Sequence, residues 1–176
     1  DQTAGGVTFS GGEPLLQPEA LKDLLIRCRE RGIHCSVDTS GFAPAEVVRD
    51  IARYTDLFLY DIKHMDSAMH RKYTGVSNEL ILANAQLLAD IGAALRIRLP
   101  LIGGINDDDA NIGATAAFVA GLGAVATIDL LPYHHLGTAK YAKLGIGSAA
   151  DNHFAVDTTR LARVQSLIEA HGLNVQ

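Results

Sequence analysis

Cysteine is scarce in this sequence, since Cys28 and Cys35 are the only two among 176 residues. Their spacing forms neither a disulfide framework nor the close pairing that is typical of a metal site. We interpret each as a small buried hydrophobic residue, Cys28 on a helix and Cys35 on the strand that follows it. Free thiols are typical of the reducing cytoplasm, where we expect the protein to reside.

Positive charge is also in deficit, because 15 Lys and Arg residues face 20 Asp and Glu residues, which gives a net charge of −5. No cluster of basic residues interleaved with aromatic residues occurs, so we expect no nucleic acid partner. No apolar run approaches the ~20 residues of a membrane-spanning helix, so we expect no membrane partner. The composition is ordinary for a globular protein, and the length predicts one domain over residues 1–176.

Strand and helix patterns alternate along the whole chain. The predicted strands are Val7–Phe9, Ile33–Asp38, Leu57–Ile62, Leu95–Leu101 and Ala126–Leu131. The predicted helices are Pro18–Arg31, one beginning at Pro44, Asp66–Lys72, Asn78–Ile91, Asp108–Gly121 and Asp157–His171. This alternation predicts an α/β fold with a parallel sheet covered by helices. The apolar strand Leu57–Ile62 further predicts helices on both faces of that sheet.

The chain is organised around the segment Gly5–Leu16, where a short strand runs into Ser10-Gly11-Gly12 and then into Glu13-Pro14, which we expect to open a helix. Adjacent glycines permit positive φ and leave the backbone bare, so that a ligand can approach it closely. The amide groups of such a turn and of the following helix favour an anionic or polar ligand. A plain tight turn explains the same residues equally well.

Polar residues follow the other predicted strands at the edge where parallel strands end, which is where ligands bind in such folds. Each has a structural alternative: Asp38 could cap a turn, and Asp61 with Lys63 could form an inert ion pair. Arg98 needs a partner inside its strand, although Arg96 shares its face and could be the inward residue instead. His134, after Pro132 and Tyr133, could cap its strand. We assign the acidic run Asp107–Asp109 to helix capping rather than to a metal site.

Five further segments strengthen the interpretation of Gly5–Leu16, and they occur in this order along the chain: Val37–Gly41, Tyr60–Asp66, Tyr73–Asn78, Ile97–Ile102 and Leu131–Gly137. Together the set resembles the glycyl radical enzyme activating enzymes of the radical SAM superfamily. The resemblance implies a partial (β/α) barrel that uses S-adenosylmethionine and a 4Fe–4S cluster. It further implies a glycyl radical enzyme as the protein partner and an electron donor such as flavodoxin or ferredoxin.

The same resemblance assigns the polar residues to S-adenosylmethionine. Gly11, Gly12 and Glu13 would meet its amino group, chiefly through backbone atoms. Asp61, Ile62 and Lys63 would line the methionine and sulfonium region. Arg98 would lie near the cofactor and the incoming glycine. His134 would line the ribose or adenine side. Asp38, Thr39 and Asp61 match a position where the family can hold a monovalent cation.

The sequence departs from the family at the cluster, whose Cys-x3-Cys-x2-Cys motif is absent. Cys28 and Cys35 lie on later elements and cannot replace it. Because the chain begins at Asp1 with a strand almost at once, we expect a piece of a larger protein that lacks the first strand of its sheet, leaves an exposed edge and is inactive alone. Two alternatives stay open: a barrel enzyme that binds a phosphorylated metabolite beside Lys63, and a non-catalytic module that binds S-adenosylmethionine or docks a partner.

Overall fold

The computed structural model describes residues 5–123, 125, 127–133 and 154–176. Its strands are β1 (Gly6–Phe9), β2 (His34–Thr39), β3 (Leu57–Asp61), β4 (Leu95–Leu101), β5 (Thr127–Pro132) and β6 (Asn174–Val175). Its α-helices are α1 (Pro18–Glu30), α2 (Ala45–Ala52), α3 (Ser67–Thr74), α4 (Glu79–Asp90), α5 (Asp109–Gly121) and α6 (Thr158–Glu169). Within these residues, no helix has both the length and the apolar composition needed to cross a membrane.

The strands form one sheet in which spatial order follows chain order, from β1 at one edge to β6 at the other. Each neighbouring pair is parallel. The predicted α/β class with a parallel sheet is therefore confirmed. Because parallel strands end at a common edge, the loops after β1, β2, β3 and β4 lie side by side there.

Alternate residues of the central strands pack against the helices. Val37, Phe58, Ile97 and Ile128 are each 0% exposed and join a core that includes buried residues of every described α-helix except α3. Within each strand, the residues next to these point to the opposite face of the sheet, because side chains alternate across a strand. That second face receives Asp38, Asp61 and Arg98, which are half-buried.

The prediction that helices cover both faces of the sheet is wrong for β3. Leu57 and Leu59 are half-buried, whereas Phe58 and Tyr60 between them are fully buried. An apolar run alone cannot reveal the difference, since leucine occurs on both faces. The second face is therefore open enough for charged side chains to reach a ligand.

Two smaller differences concern local structure. Glu13 does not open a long helix; its carboxylate caps a separate 3₁₀ turn, Pro14–Leu16, before α1 begins. The short strand β6 was not predicted, because two residues give no periodic signal. A Gly- and Ala-rich stretch at 137–150, which we expect to be flexible, lies outside the described residues.

Candidate functional site

A cavity of about 410 Å³ lies where β1, β2, β3 and β4 end. Eight of the ten predicted site residues line it: Gly11, Gly12, Glu13, Asp38, Thr39, Asp61, Lys63 and Arg98. Ser10 and Ser40 line it as well. The register explains this convergence, because Asp61 pairs with Arg98 across β3 and β4 and Asp38 with Leu59 across β2 and β3. We call it the carboxyl-edge cavity.

The Arg98 guanidinium lies between two carboxylates of this cavity. Its Nε atom donates to Asp61 Oδ1 at 2.9 Å, and one terminal nitrogen lies 2.8 Å from the same oxygen. The guanidinium also contacts both oxygens of Asp38, at 3.2 Å for Oδ2. Asp38 further accepts a hydrogen bond from Ser10 Oγ at 3.1 Å, so it binds its neighbours across the sheet rather than capping its own turn.

Burial and charge act in opposite directions on this cluster. Burial raises the pKa of Asp61 above its ordinary value, and the nearby Arg98 and Lys63 only partly offset that effect. Burial tends to lower the pKa of Arg98, but the charges and hydrogen bonds of Asp61 and Asp38 outweigh it and raise the pKa. Lys63 Nζ lies 3.9 Å from Asp61 Oδ2, a loose contact that leaves the ammonium free to bind a ligand.

Glu13 holds the first two loops of the site together through its side chain. Its Oε1 accepts from Thr39 Oγ1 at 2.5 Å and from the Leu15 amide at 3.2 Å. Its Oε2 accepts from the Ser40 amide and hydroxyl at 2.9 and 2.6 Å. The carboxylate is thus occupied by the protein, so Glu13 is a positioning residue whose side chain is not available to a ligand.

The two glycines leave bare backbone at the wall of the cavity. Gly11 has a φ of +138°, a conformation that other residues rarely adopt. A Cβ atom built on Gly12 would meet no protein atom within 4 Å. Since protein packing does not demand a glycine at position 12, the free space beside it is room for a ligand.

Four other sequence predictions concern Ile62, Arg96, His134 and the acidic run. The Ile62 side chain is 1% exposed and lies in the helix-side core, so only its backbone can face the site. Arg96 shares a face with Arg98, as expected, but its Nε donates to Asp129 at 2.5 Å outside the cavity. His134 lies outside the described residues. Of the acidic run, Asp108 caps α5, whereas Asp109 binds arginines of α6.

Three buried asparagines, whose role the sequence did not reveal, fix the loop after β3. Asn78 Nδ2 donates to the carbonyls of His64 and Met65 at 2.9 and 2.8 Å. Asn106 Nδ2 donates to the carbonyl of Lys63 at 2.8 Å, and Asn111 Oδ1 accepts from the Met65 amide at 2.8 Å. Each backbone group is thereby satisfied away from water, which fixes the direction of Lys63. Asn78 and Asn106 lie in loops, where asparagine usually indicates a turn, and Asn111 lies on α5, so sequence alone hides this function.

The cysteines do not contribute to this site. Cys35 is buried in β2 and Cys28 is half-buried on α1, and both are free thiols. Burial, with a smaller contribution from Cys28, raises the pKa of the Cys35 thiol to about 11. Among the described residues, no group of three or more His, Cys, Asp or Glu side chains is placed to hold a metal ion.

Known proteins share the sequence of this chain over nearly its whole length. Residues 1–113 match the family model of the radical SAM superfamily. The choline trimethylamine-lyase activating enzyme of Oleidesulfovibrio alaskensis is 40% identical over 178 residues, covering 99% of this chain and 57% of that protein. The trans-4-hydroxy-L-proline dehydratase activating enzyme of Clostridioides difficile is 37% identical over 179 residues, covering 100% of this chain and 59% of that protein. The chain thus spans a little over half the length of these curated relatives.

A solved structure resembles the chain along its length. It is a domain of pyruvate-formate lyase-activating enzyme from Bacteroides vulgatus, with a TM-score of 0.83 and 39% identity over 98% of both chains. This match confirms the predicted partial (β/α) barrel. The chain therefore belongs to the radical SAM superfamily and, within it, to the activating enzymes of glycyl radical enzymes.

Proposed function

We propose that the carboxyl-edge cavity binds S-adenosylmethionine, and that the protein uses it to generate a glycyl radical on a partner enzyme. The charge of the cavity is the observation that carries this proposal. Three carboxylates, from Glu13, Asp38 and Asp61, face two basic groups, from Lys63 and Arg98, which leaves one net negative charge. S-adenosylmethionine carries a sulfonium, an ammonium and a carboxylate, hence one net positive charge, so ligand and cavity are complementary.

The side chains divide naturally between the charges of that ligand. Asp38 and Asp61 stabilise the sulfonium and ammonium groups, and the ammonium of Lys63 with the guanidinium of Arg98 receives the carboxylate. The bare backbone of Gly11 and Gly12 admits the amino group closely. Ile62 contributes its backbone. His134 remains our proposed contact for the ribose or adenine side.

We further propose that Asp38, Thr39 and Asp61 can hold a monovalent cation. In the structure the Arg98 guanidinium lies between the two carboxylates, and Thr39 Oγ1 donates to Glu13 while accepting from the Gly41 amide. A cation therefore has to displace Arg98 from at least one carboxylate. That displacement frees the guanidinium for the ligand carboxylate.

When bound and reduced by one electron, S-adenosylmethionine supplies a 5′-deoxyadenosyl radical that can take a hydrogen atom from glycine. The residues described here orient it and shield it from water. They do not fit the 4Fe–4S cluster that the family uses, because Cys35 is a buried, protonated thiol and the chain has one other cysteine. We therefore assign no step of the reaction to a cluster held by these residues.

The partner is a glycyl radical enzyme, and the electron comes from a donor such as flavodoxin or ferredoxin. We propose the cytoplasm as the compartment, in agreement with two free thiols. A phosphorylated metabolite is disfavoured as the ligand, since a phosphate dianion would enter a cavity of net negative charge.

The test uses the protein expressed from its complete reading frame, reconstituted anaerobically with iron and sulfide. We expect reductive formation of 5′-deoxyadenosine, with a loss of about tenfold in kcat/KM in the Asp61→Asn variant because a charge-assisted contact to the ligand is removed. The Asp90→Asn variant, which removes an exposed carboxylate from the far end of α4, serves as control. Tight binding without 5′-deoxyadenosine would instead support the non-catalytic module.

A further inference from the structure

Arg98 has an acidic residue directly beside it on each of the two neighbouring strands. The register pairs Arg98 with Asp61 on β3 and with Asp129 on β5. Neighbouring strands lie about 4.8 Å apart, so the backbone of Arg98 is similarly close to both acidic residues. Residues paired in register also share a face, and all three side chains therefore lie on the open face of the sheet.

The guanidinium binds on one side of its strand and leaves the other side unused. Its nitrogens contact Asp61 and, beyond it, Asp38. On the other side, Asp129 Oδ2 accepts from Arg96 Nε at 2.5 Å. Asp129 Oδ1 is buried and has no hydrogen-bond partner, and it is the one buried side-chain nitrogen or oxygen among the described residues in that condition.

A buried carboxylate oxygen without a donor is unfavourable, because it has lost its hydration and gained no hydrogen bond in return. Nearly all buried polar atoms of folded proteins have a partner, so an exception needs an explanation. Asp129 Oδ1 can accept from any N–H group that moves beside it. Arg98 is paired with Asp129 in the register, and a guanidinium carries five N–H donors.

The charges of the neighbours explain why Arg98 binds where it does. Asp38 and Asp61 together provide two carboxylates, whereas Asp129 provides one that Arg96 already partly neutralises. A cationic ligand in the carboxyl-edge cavity reverses this balance. Its positive groups neutralise the two carboxylates and repel the guanidinium, so the carboxylate on β5 becomes the better partner.

We propose that Asp129 is a positioning residue for Arg98. When S-adenosylmethionine binds in the carboxyl-edge cavity, the guanidinium turns away from Asp38 and Asp61 and donates to the unpartnered Oδ1 on β5. The proposal rests on the proposed function, in which those two carboxylates receive the sulfonium and the ammonium. The movement is a rotation about side-chain bonds, because the register already places both partners beside Arg98. The remaining N–H groups stay available to the ligand carboxylate.

The test measures S-adenosylmethionine binding by anaerobic calorimetry, with the protein expressed from its complete reading frame and reconstituted with iron and sulfide. The Asp129→Asn variant keeps the shape of the side chain and removes its charge. We expect it to bind S-adenosylmethionine about tenfold more weakly, because the guanidinium loses its second carboxylate partner.

The Arg96→Met variant is the matched control, since it breaks the same ion pair from the other end. It leaves Asp129 without the basic partner that it has in the structure, so Arg98 turns to it before the ligand arrives. We expect binding about threefold tighter than in the unmodified protein, because the ligand no longer has to displace the guanidinium. If the ion pair were merely structural, the two variants would change the affinity in the same direction or not at all, and either result would refute the proposal.

Crystal structures of the unmodified protein with and without S-adenosylmethionine cover the case in which a variant fails to fold. With the ligand bound, we expect a nitrogen of Arg98 about 3 Å from Asp129 Oδ1, and the guanidinium separated from Asp38. A guanidinium that stays on Asp38 and Asp61 beside the bound ligand would overturn the proposal. A water molecule that donates to Asp129 Oδ1 in both structures would overturn it as well, since solvent would then satisfy this oxygen.

The outcomes also separate this inference from the proposed function. If the unmodified protein and the Asp129→Asn variant bind S-adenosylmethionine equally tightly, the proposed function stands and the role of Asp129 is refuted. If the unmodified protein does not bind S-adenosylmethionine, both are refuted, because the ligand is what displaces the guanidinium.

Discussion

Asp61 combines a buried carboxylate with two basic neighbours at the centre of the candidate site. Burial dominates and raises its pKa above the ordinary value of about 3.9. A raised folded-state pKa means that the contribution of Asp61 to stability is lost as pH rises through that pKa. The ionised form of Asp61 is therefore destabilised in the folded protein, and a bound cationic ligand offsets that destabilisation.

We predict that the affinity for S-adenosylmethionine falls as pH is lowered from 7 into the range just above pH 3.9. Protonation of Asp61 removes the negative charge that attracts the sulfonium, so the affinity follows the raised pKa. Calorimetry across this range should show the decline in the unmodified protein. The Asp61→Asn variant should bind about tenfold more weakly at pH 7 and lose most of this pH dependence.

The control for this prediction is the Asp90→Asn variant, which removes the same charge from an exposed position. It should keep both the affinity and the pH dependence of the unmodified protein. An Asp61→Asn profile parallel to the unmodified one would assign the titration to another group and remove Asp61 from the proposed contacts.

At the scale of elements, the connection from β2 to α2 passes so close to β3 that it admits no side chain. Gly41 has a φ of +73°, and a Cβ built there would lie 1.7 Å from the Tyr60 hydroxyl oxygen. That hydroxyl is fixed, because it donates to the Ile81 carbonyl at 2.6 Å. Asn84 donates to the Gly41 carbonyl at 2.8 Å, so the backbone cannot retreat easily either.

We predict that Gly41→Ala lowers the free energy of unfolding by about 3 kcal/mol or more, from a left-handed backbone and an overpacked contact. Gly92→Ala is the matched control, since Gly92 has a φ of +71° with nothing within 4 Å of its built Cβ. It should cost about 1 to 2 kcal/mol, the backbone effect alone. Urea unfolding measures both. Equal losses would show that Tyr60 moves aside.

These elements also show how far sequence reasoning reaches. Helix α1 was predictable to within one residue, because Pro18 suits its first turn and Gly32 follows its end with a φ of +66°. The pairing of Arg98 with both Asp38 and Asp61 was not, since it depends on register between strands up to 60 residues apart. The hydrogen bonds that the Glu13 carboxylate accepts were not predictable for the same reason. The sequence predicted that these residues meet at one edge of the sheet, but only the three-dimensional structure shows which of them contact each other.

At the scale of the whole molecule, the rate of Cys35 alkylation measures how often the folded protein opens globally. It lies in β2, is 1% exposed, and has a thiol whose pKa is about 11, raised chiefly by burial. Only the thiolate reacts rapidly, so the native protein should protect Cys35 from alkylation. Peptide mass spectrometry can follow this one cysteine apart from Cys28, which is half-buried on α1.

We predict that S-adenosylmethionine at 100 times its dissociation constant slows Cys35 alkylation about 100-fold, because a ligand that binds the folded state reduces the population of the open state by that factor. The prediction applies where reclosing is faster than alkylation. In the Asp61→Asn variant, the same ligand concentration should slow alkylation only about tenfold, in proportion to its weaker binding. Protection that is equal in both proteins would mean that the ligand stabilises the fold through contacts other than Asp61. Unchanged alkylation in the unmodified protein would mean that the folded barrel does not bind S-adenosylmethionine, because Cys35 lies on the strand that delivers Asp38 and Thr39 to the cavity.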